Sequence, residues 1–269
     1  MGMIFFKLLI LSVFVSASPG WAGKFHLFMK SSSGREVHVY LPREYHYTTD
    51  SYPVLYVQDG QNFFDPKRAY NAQTWNGLNT LNELIDLRLI QPLIVVTIDN
   101  TPQRINEYTH DYDIYIAAGG GASDYIKLIQ QDIMPVVKKH LRVKTGREAT
   151  GLLGSSLGGL LSLYGGVRAS KDFGLIASLS PSLWWNQESI FPILSAGPVP
   201  DRLYLDSGTV GGERPQDVLK LYKAMKDQLP PGHLKVVIKE GDSHNERAWS
   251  RRLSGALIHL FGSKNQFRD

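Results

Sequence analysis

The chain has 269 residues, 43% of them hydrophobic, with 29 basic against 25 acidic side chains for a formal charge of +4, and no cysteine. That length admits one large domain or two small ones with a substantial core, and the lack of cysteine excludes a disulfide scaffold, a cysteine nucleophile and thiolate metal sites. The densest basic clusters are only Lys138-Lys139 and Arg251-Arg252, so no stripe of cations points to nucleic acid as a partner.

Residues 1–22 read as a signal peptide: a weakly basic start, an apolar run over residues 8–15, then small residues. Cleavage is expected after Ala17 or Ala22, giving a periplasmic or secreted protein. The apolar run is too short to span a bilayer comfortably, so export, with no stable membrane insertion once the leader is removed, is favoured over an uncleaved membrane anchor. Residues 23–269 show no low-complexity linker, repeat or shift in composition and read as a single domain.

Eight short apolar runs follow, at residues 25–29, 37–41, 54–57, 93–98, 149–153, 175–179, 203–205 and 234–238. The first two alternate and predict an antiparallel hairpin; the later ones are nearly continuous, as strands covered on both faces are. Helical patterns lie between the later strands. Ser123 is placed to cap a helix carrying Ile126, Ile129, Ile133 and Val137 on one face, kinked by Pro135; Asp217 is placed to begin another; residues 246–261 predict a closing amphipathic helix. Strands alternating with helices after an antiparallel start imply a mostly parallel, three-layer α/β sheet of eight strands. No segment is long enough for a separate lid domain, and reactive groups are expected at the carboxyl ends of the strands.

Gly154-Ser155-Ser156-Leu157-Gly158-Gly159 occupies a strand-to-helix junction. A G-x-S-x-G pentapeptide there is the pattern of a nucleophilic serine, since Ser156 must take a cramped backbone conformation that side chains at 154 and 158 would obstruct. The amide of Leu157 would then face an oxyanion formed at Ser156. His244 lies in the loop between the last strand and the last helix, where an imidazole can reach over the sheet edge to Ser156. His26, His38, His46, His140 and His259 sit in strands, helices or an early loop and read as structural or surface residues. The acid should lie between Ser156 and His244: Glu213 in the loop after residues 203–205 is favoured, with Asp206 as the rival. A second oxyanion donor is expected from Gln58-Asp59-Gly60-Gln61-Asn62, through the amide of Gln61. No cluster with metal-ligand spacing accompanies Asp59, so no metal or cofactor is expected.

Four stretches resemble the putative-esterase, or esterase D-like, branch of the α/β-hydrolase superfamily: Tyr52-Pro53-Val54-Leu55-Tyr56-Val57-Gln58-Asp59-Gly60-Gln61-Asn62, the elbow, Ser180-Pro181-Ser182-Leu183-Trp184-Trp185, and His244-Asn245-Glu246 followed by Trp249. The resemblance implies an α/β-hydrolase fold and an exported serine carboxylic-ester hydrolase acting on a small-molecule ester. It implies Ser156 as nucleophile, His244 as base and the amides of Gln61 and Leu157 as the oxyanion hole. That branch includes carboxylesterases, feruloyl and acetyl esterases, S-formylglutathione hydrolases, mycolyl transferases and siderophore trilactone hydrolases, so an acyltransferase or a siderophore hydrolase stays open. The departure is at the acid: Gly211 and Gly212 intervene before Glu213, which leaves a Ser–His dyad open. The same motifs offer Arg104 and Asn106 for a polar substrate and Trp184 and Trp185 as walls of a pocket. The rival reading from another class is a catalytically silent binding module on this fold.

Overall fold

Residues 54–57 are apolar without a break because both faces of the strand they form are covered: Val54 and Tyr56 pack into one core, Leu55 and Val57 into the other. The computed structural model describes residues 23–31 and 33–263, so the predicted leader and its cleavage sites lie outside the described residues. Its strands are β1 (Phe25–Lys30), β2 (Glu36–Tyr40), β3 (Val54–Gln58), β4 (Ile94–Ile98), β5 (Tyr112–Asp113), β6 (Ala118–Gly119), β7 (Thr150–Ser155), β8 (Leu175–Leu179), β9 (Arg202–Gly208) and β10 (Leu234–Lys239). Its helices are α1 (Gly60–Phe64), α2 (Gly77–Asp86), α3 (Arg104–Tyr108), α4 (Ala122–Leu128), α5 (Met134–His140), α6 (Leu157–Arg168), α7 (Trp185–Glu188), α8 (Ile190–Ala196), α9 (Pro215–Met225) and α10 (Glu246–Phe261).

Eight strands form one sheet in the order β1-β2-β4-β3-β7-β8-β9-β10. The β1–β2 and β2–β4 pairs are antiparallel and the remaining pairs parallel, with Phe25 opposite Tyr40 in the predicted hairpin. Alternate residues divide cleanly between the faces: Leu152, Ile176, Leu203 and Leu205 on one, Leu153, Ala177 and Tyr204 on the other. The first face is covered by α4, α5, α6, α8 and α9, the second by α2 and α10. This is the expected three-layer arrangement, and each large side chain buried in it contributes roughly 1.5–3 kcal/mol.

Two helices differ locally from expectation. Gly121, not Ser123, stands at the start of α4, where its amide is already held by the Asn106 carbonyl at 2.8 Å. The helix widens to a π turn over Ile129–Ile133 before restarting as α5 with Pro135 in its first turn; widening relieves the clash of the proline ring with the preceding turn. Helix α9 begins at Pro215 rather than Asp217, because proline's fixed φ suits the first helical position. The two-residue hairpin β5–β6 was not expected.

Topology fixes where chemistry can sit. Strands β3 and β7 are neighbours, yet the chain leaves β3 toward β4 on one side and β7 toward β8 on the other. The diverging connections open a crevice at the carboxyl ends of β3 and β7, bounded by Asp59 to Gln61 and by Ser156. Among the described residues no helix is long and apolar enough to cross a membrane.

Candidate active site

Ser156 joins β7 to α6 with φ 56 and ψ −122, a conformation that L-residues adopt only when their surroundings enforce it. The enforcement is visible. Its amide donates to the Leu179 carbonyl at 2.9 Å, and its carbonyl accepts from the Ser182 amide at 3.1 Å. A Cβ on Gly154 would lie 2.3 Å from the Gly158 carbonyl oxygen, so only glycine fits there; at Gly158 the tightest approach is a milder 3.2 Å to Asp59 Oδ2. The Ser156 hydroxyl lies 2.9 Å from His244 Nε2 and 3.3 Å from Ser182 Oγ.

His244 follows β10 and stands two residues before α10, whose first turn is capped by the Asn245 side chain accepting from the Ala248 amide at 3.0 Å. Its ring meets Trp249 edge to face, centroids 5.1 Å apart. On its far side, Nδ1 faces Glu213 Oε2 at 3.5 Å, a contact longer than a formed hydrogen bond. Gly211 and Gly212, which set the acid apart in the sequence, explain how Glu213 gets there. They take φ +61 and +91, a Cβ on Gly211 would lie 2.8 Å from Ser243 Cβ, and the Gly211 carbonyl accepts from the His244 amide at 3.4 Å. The two loops can therefore lie against one another.

The rival carboxylates have different surroundings. Glu213 Oε1 accepts from Ser180 Oγ at 2.6 Å and Arg252 Nη2 at 3.2 Å, and Ser207 Oγ lies 3.0 Å from Oε2. Burial pushes its pKa up, but the facing His244 imidazole, the Ser180 hydroxyl and the charge of Arg252 outweigh burial and bring it down to about 2. Asp206 is fully buried and turned toward the Ser180 amide, 3.0 Å from Oδ1. Burial raises its pKa to about 7 against the opposing pull of Arg252. Of the two, the structure brings Glu213 to the imidazole.

Gln61 is the second residue of α1, where an amide has no acceptor within its own helix. The turn before it is held tightly: Asp59 takes φ 55, its amide donates to Tyr108 Oη at 3.1 Å, and a Cβ on Gly60 would lie 2.7 Å from the Ile98 amide nitrogen. Gln61 Oε1 accepts from the Asn100 amide at 3.1 Å.

Arg104 does not offer a bare cation to the crevice. Its Nε and Nη2 bind Asp59 Oδ1 and Oδ2 at 2.7 and 2.8 Å, and although burial opposes its charge, Asp59 raises its pKa. Asn106 is exposed, but its Oδ1 accepts from the Gly119 amide at 2.8 Å and so fastens the β5–β6 hairpin. The tryptophans divide: Trp184 is 39% exposed, whereas Trp185 is 1% exposed and donates from Nε1 to the Asp111 carbonyl at 2.9 Å.

Sequence reasoning assigned no role to Ser180, Ser182 or Arg252. The Ser-Pro-Ser run was a usable signal, as was a basic residue within the stripe Trp249, Leu253, Ala256 and Leu260 that α10 buries. One group of ligand-type atoms occurs among the described residues, on Glu36, His38 and Asp99. Arg68 fills it, contacting Asp99 and, at 3.0 Å, Glu36 Oε2, so it does not fit a cation.

The model of the putative esterase family matches residues 31–260. The uncharacterized protein YbbA of Bacillus subtilis (strain 168) is 24% identical over 246 residues, covering 86% of this chain and 94% of its own length. The iron(III) salmochelin esterase of Escherichia coli O6:H1 is 28% identical over 268 residues, covering 90% of this chain. This chain spans only 59% of that enzyme's length. Among solved structures, the siderophore hydrolase EstA from Aspergillus nidulans superposes with a TM-score of 0.71 at 22% identity, over 92% of this chain and 97% of that one. The fold is that of the α/β-hydrolases.

Proposed function

The chain belongs to the putative esterase family, and we propose that within it the chain is an exported serine carboxylic-ester hydrolase working through an acyl-enzyme on Ser156. The 2.9 Å contact between His244 Nε2 and Ser156 Oγ carries this reading. Ser156 Oγ attacks the ester carbonyl carbon while its proton passes to His244 Nε2. The negative charge gathering on the carbonyl oxygen meets the amides of Leu157 and Gln61, each such donor being worth about 10²–10³ in rate. His244 returns the proton to the departing alcohol as the tetrahedral species collapses. Water then repeats the cycle on the acyl-enzyme, giving the free acid and regenerating Ser156. Glu213, facing Nδ1, orients the imidazole and offsets its charge when it is protonated.

Export rests on the leader pattern of residues 1–22, and its check is the N-terminal mass of the mature protein. A narrower substrate, the ester backbone of an iron(III) siderophore, is favoured by the name of the Escherichia coli relative. The test of the function is turnover of a panel of acetyl, aromatic and siderophore lactone esters by the wild type, Ser156→Ala and His244→Ala. Hydrolysis is expected in the wild type and a loss of about 10⁴-fold or more in either variant. No turnover of any ester would favour a silent binding module.

A further inference from the structure

Ser180 follows β8 in a left-handed conformation, φ 43, and its buried hydroxyl meets three groups: Glu213 Oε1 at 2.6 Å, Arg252 Nη2 at 2.8 Å and Trp249 Nε1 at 3.0 Å. A hydroxyl has one proton and two lone pairs, while guanidinium and indole N–H groups can only donate. Trp249 and Arg252 therefore occupy both acceptor positions, and the Ser180 proton has one place left to point, Glu213 Oε1.

We propose that Ser180 and Arg252 are positioning residues that keep Glu213 a carboxylate with its second oxygen aimed at His244 Nδ1, an inference resting on the Ser156–His244–Glu213 reading. Glu213 Oε1 receives two donors, from Ser180 and from the same Arg252 nitrogen at 3.2 Å. A carboxyl proton on that oxygen would collide with both hydrogens. With Oε1 held, the carboxylate cannot rotate freely, and Oε2, which also accepts from Ser207 Oγ at 3.0 Å, faces the imidazole at 3.5 Å. The guanidinium is itself buried and anchored from behind, its Nε 3.5 Å from Asp206 Oδ2 and 3.8 Å from Asp242 Oδ2. Asp206 also holds the Ser180 amide at 3.0 Å, which fixes the strained residue whose hydroxyl orients the acid.

The experiment is a double-mutant cycle on the full chain with 4-nitrophenyl acetate as probe. Ser180→Gly removes the hydroxyl and accepts the positive φ. It is expected to lower kcat by about 30-fold with KM within about twofold, and to lower it no more than about twofold further in a Glu213→Gln background. Losses that multiply in the double variant would overturn the proposal, as would a wild-type kcat in Ser180→Gly beside an impaired Glu213→Gln. A wild-type kcat in Glu213→Gln would instead overturn the acid assignment beneath it. Should Ser180→Gly fail to fold, Arg252→Lys keeps the charge but not the paired geometry, and an unchanged kcat there would overturn the proposal. Proton NMR gives a readout that packing alone does not move: the His244 Nδ1–H resonance is expected to shift upfield in Ser180→Gly as Glu213 turns away, and an unmoved resonance would overturn the proposal.

Discussion

Arg104 grips Asp59 with two parallel hydrogen bonds, 2.7 and 2.8 Å long, and Asp59 heads the turn that presents the Gln61 amide. Paired bonds of this kind fix direction as well as distance. Asp59 also accepts from Asn100 Nδ2 at 2.6 Å, so two side chains from beyond β4 hold the turn after β3.

Removing Arg104 leaves a buried carboxylate without its counter-charge. Because the arginine side chain is 28% exposed and the aspartate 1%, Arg104→Gln is expected to cost about 3 kcal/mol, the lower end for a broken buried pair. If the Gln61 amide serves the proposed oxyanion hole, kcat should fall about tenfold with little change in KM as the turn that presents it loosens. Urea unfolding and steady-state kinetics check both; a rise in KM alone would make Arg104 a substrate contact.

The two acidic rivals should separate by pH. Asp206, raised to about 7 by burial, binds its proton more tightly folded than unfolded. Its contribution to stability is therefore complete below the unfolded pKa of about 4 and is lost as pH rises through about 7. Asp206→Asn is expected to gain stability relative to wild type as pH rises from about 4 to about 7, with a much smaller fall in kcat than Glu213→Gln, for which about 10³-fold is expected. Glu213 has the opposite sign: held at about 2, it stabilises above the ordinary carboxylate range, and that stability is lost as pH falls through its folded pKa. Denaturation midpoints across pH, with kcat for both variants, distinguish them.

The elbow should be less stable than it need be. Ser156 at φ 56 carries strain of about 1–3 kcal/mol that glycine does not, so Ser156→Gly is expected to melt above Ser156→Ala while both are inactive. Gly154→Ala should be far more damaging than Gly158→Ala, since its Cβ would meet backbone at 2.3 Å against 3.2 Å from a side-chain oxygen. Thermal melts of the four variants order them.

Much of this was legible because unbroken apolar runs report two-sided burial. Residues 93–98 and 175–179 predict strands covered on both faces from their nearly continuous apolar character, and the glycines around Ser156 announce a tight junction. What the sequence hid depends on contacts between distant segments. Nothing near residue 104 says that its guanidinium is bound by a carboxylate 45 positions earlier. Gly211 and Gly212 looked like a departure from a pattern, when their positive φ lets the acid loop lie on the histidine loop. Ser180 and Arg252 are 72 positions apart and meet only because α10 packs behind β8 and β9.

The tryptophan pair should divide by role. Trp184→Ala is expected to leave the melting temperature nearly unchanged and to raise KM for bulky aromatic esters more than for acetyl esters. Trp185→Ala should cost about 3–5 kcal/mol by opening a cavity. Melting curves and KM for two ester sizes check this.

The most direct measurement is covalent labelling of the full chain with a fluorophosphonate, read by intact mass and peptide mapping. A single adduct on Ser156 is expected, absent in Ser156→Ala and formed about 10³-fold or more slowly in His244→Ala. An adduct that persists in Ser156→Ala, or a wild type that never labels, would contradict the account.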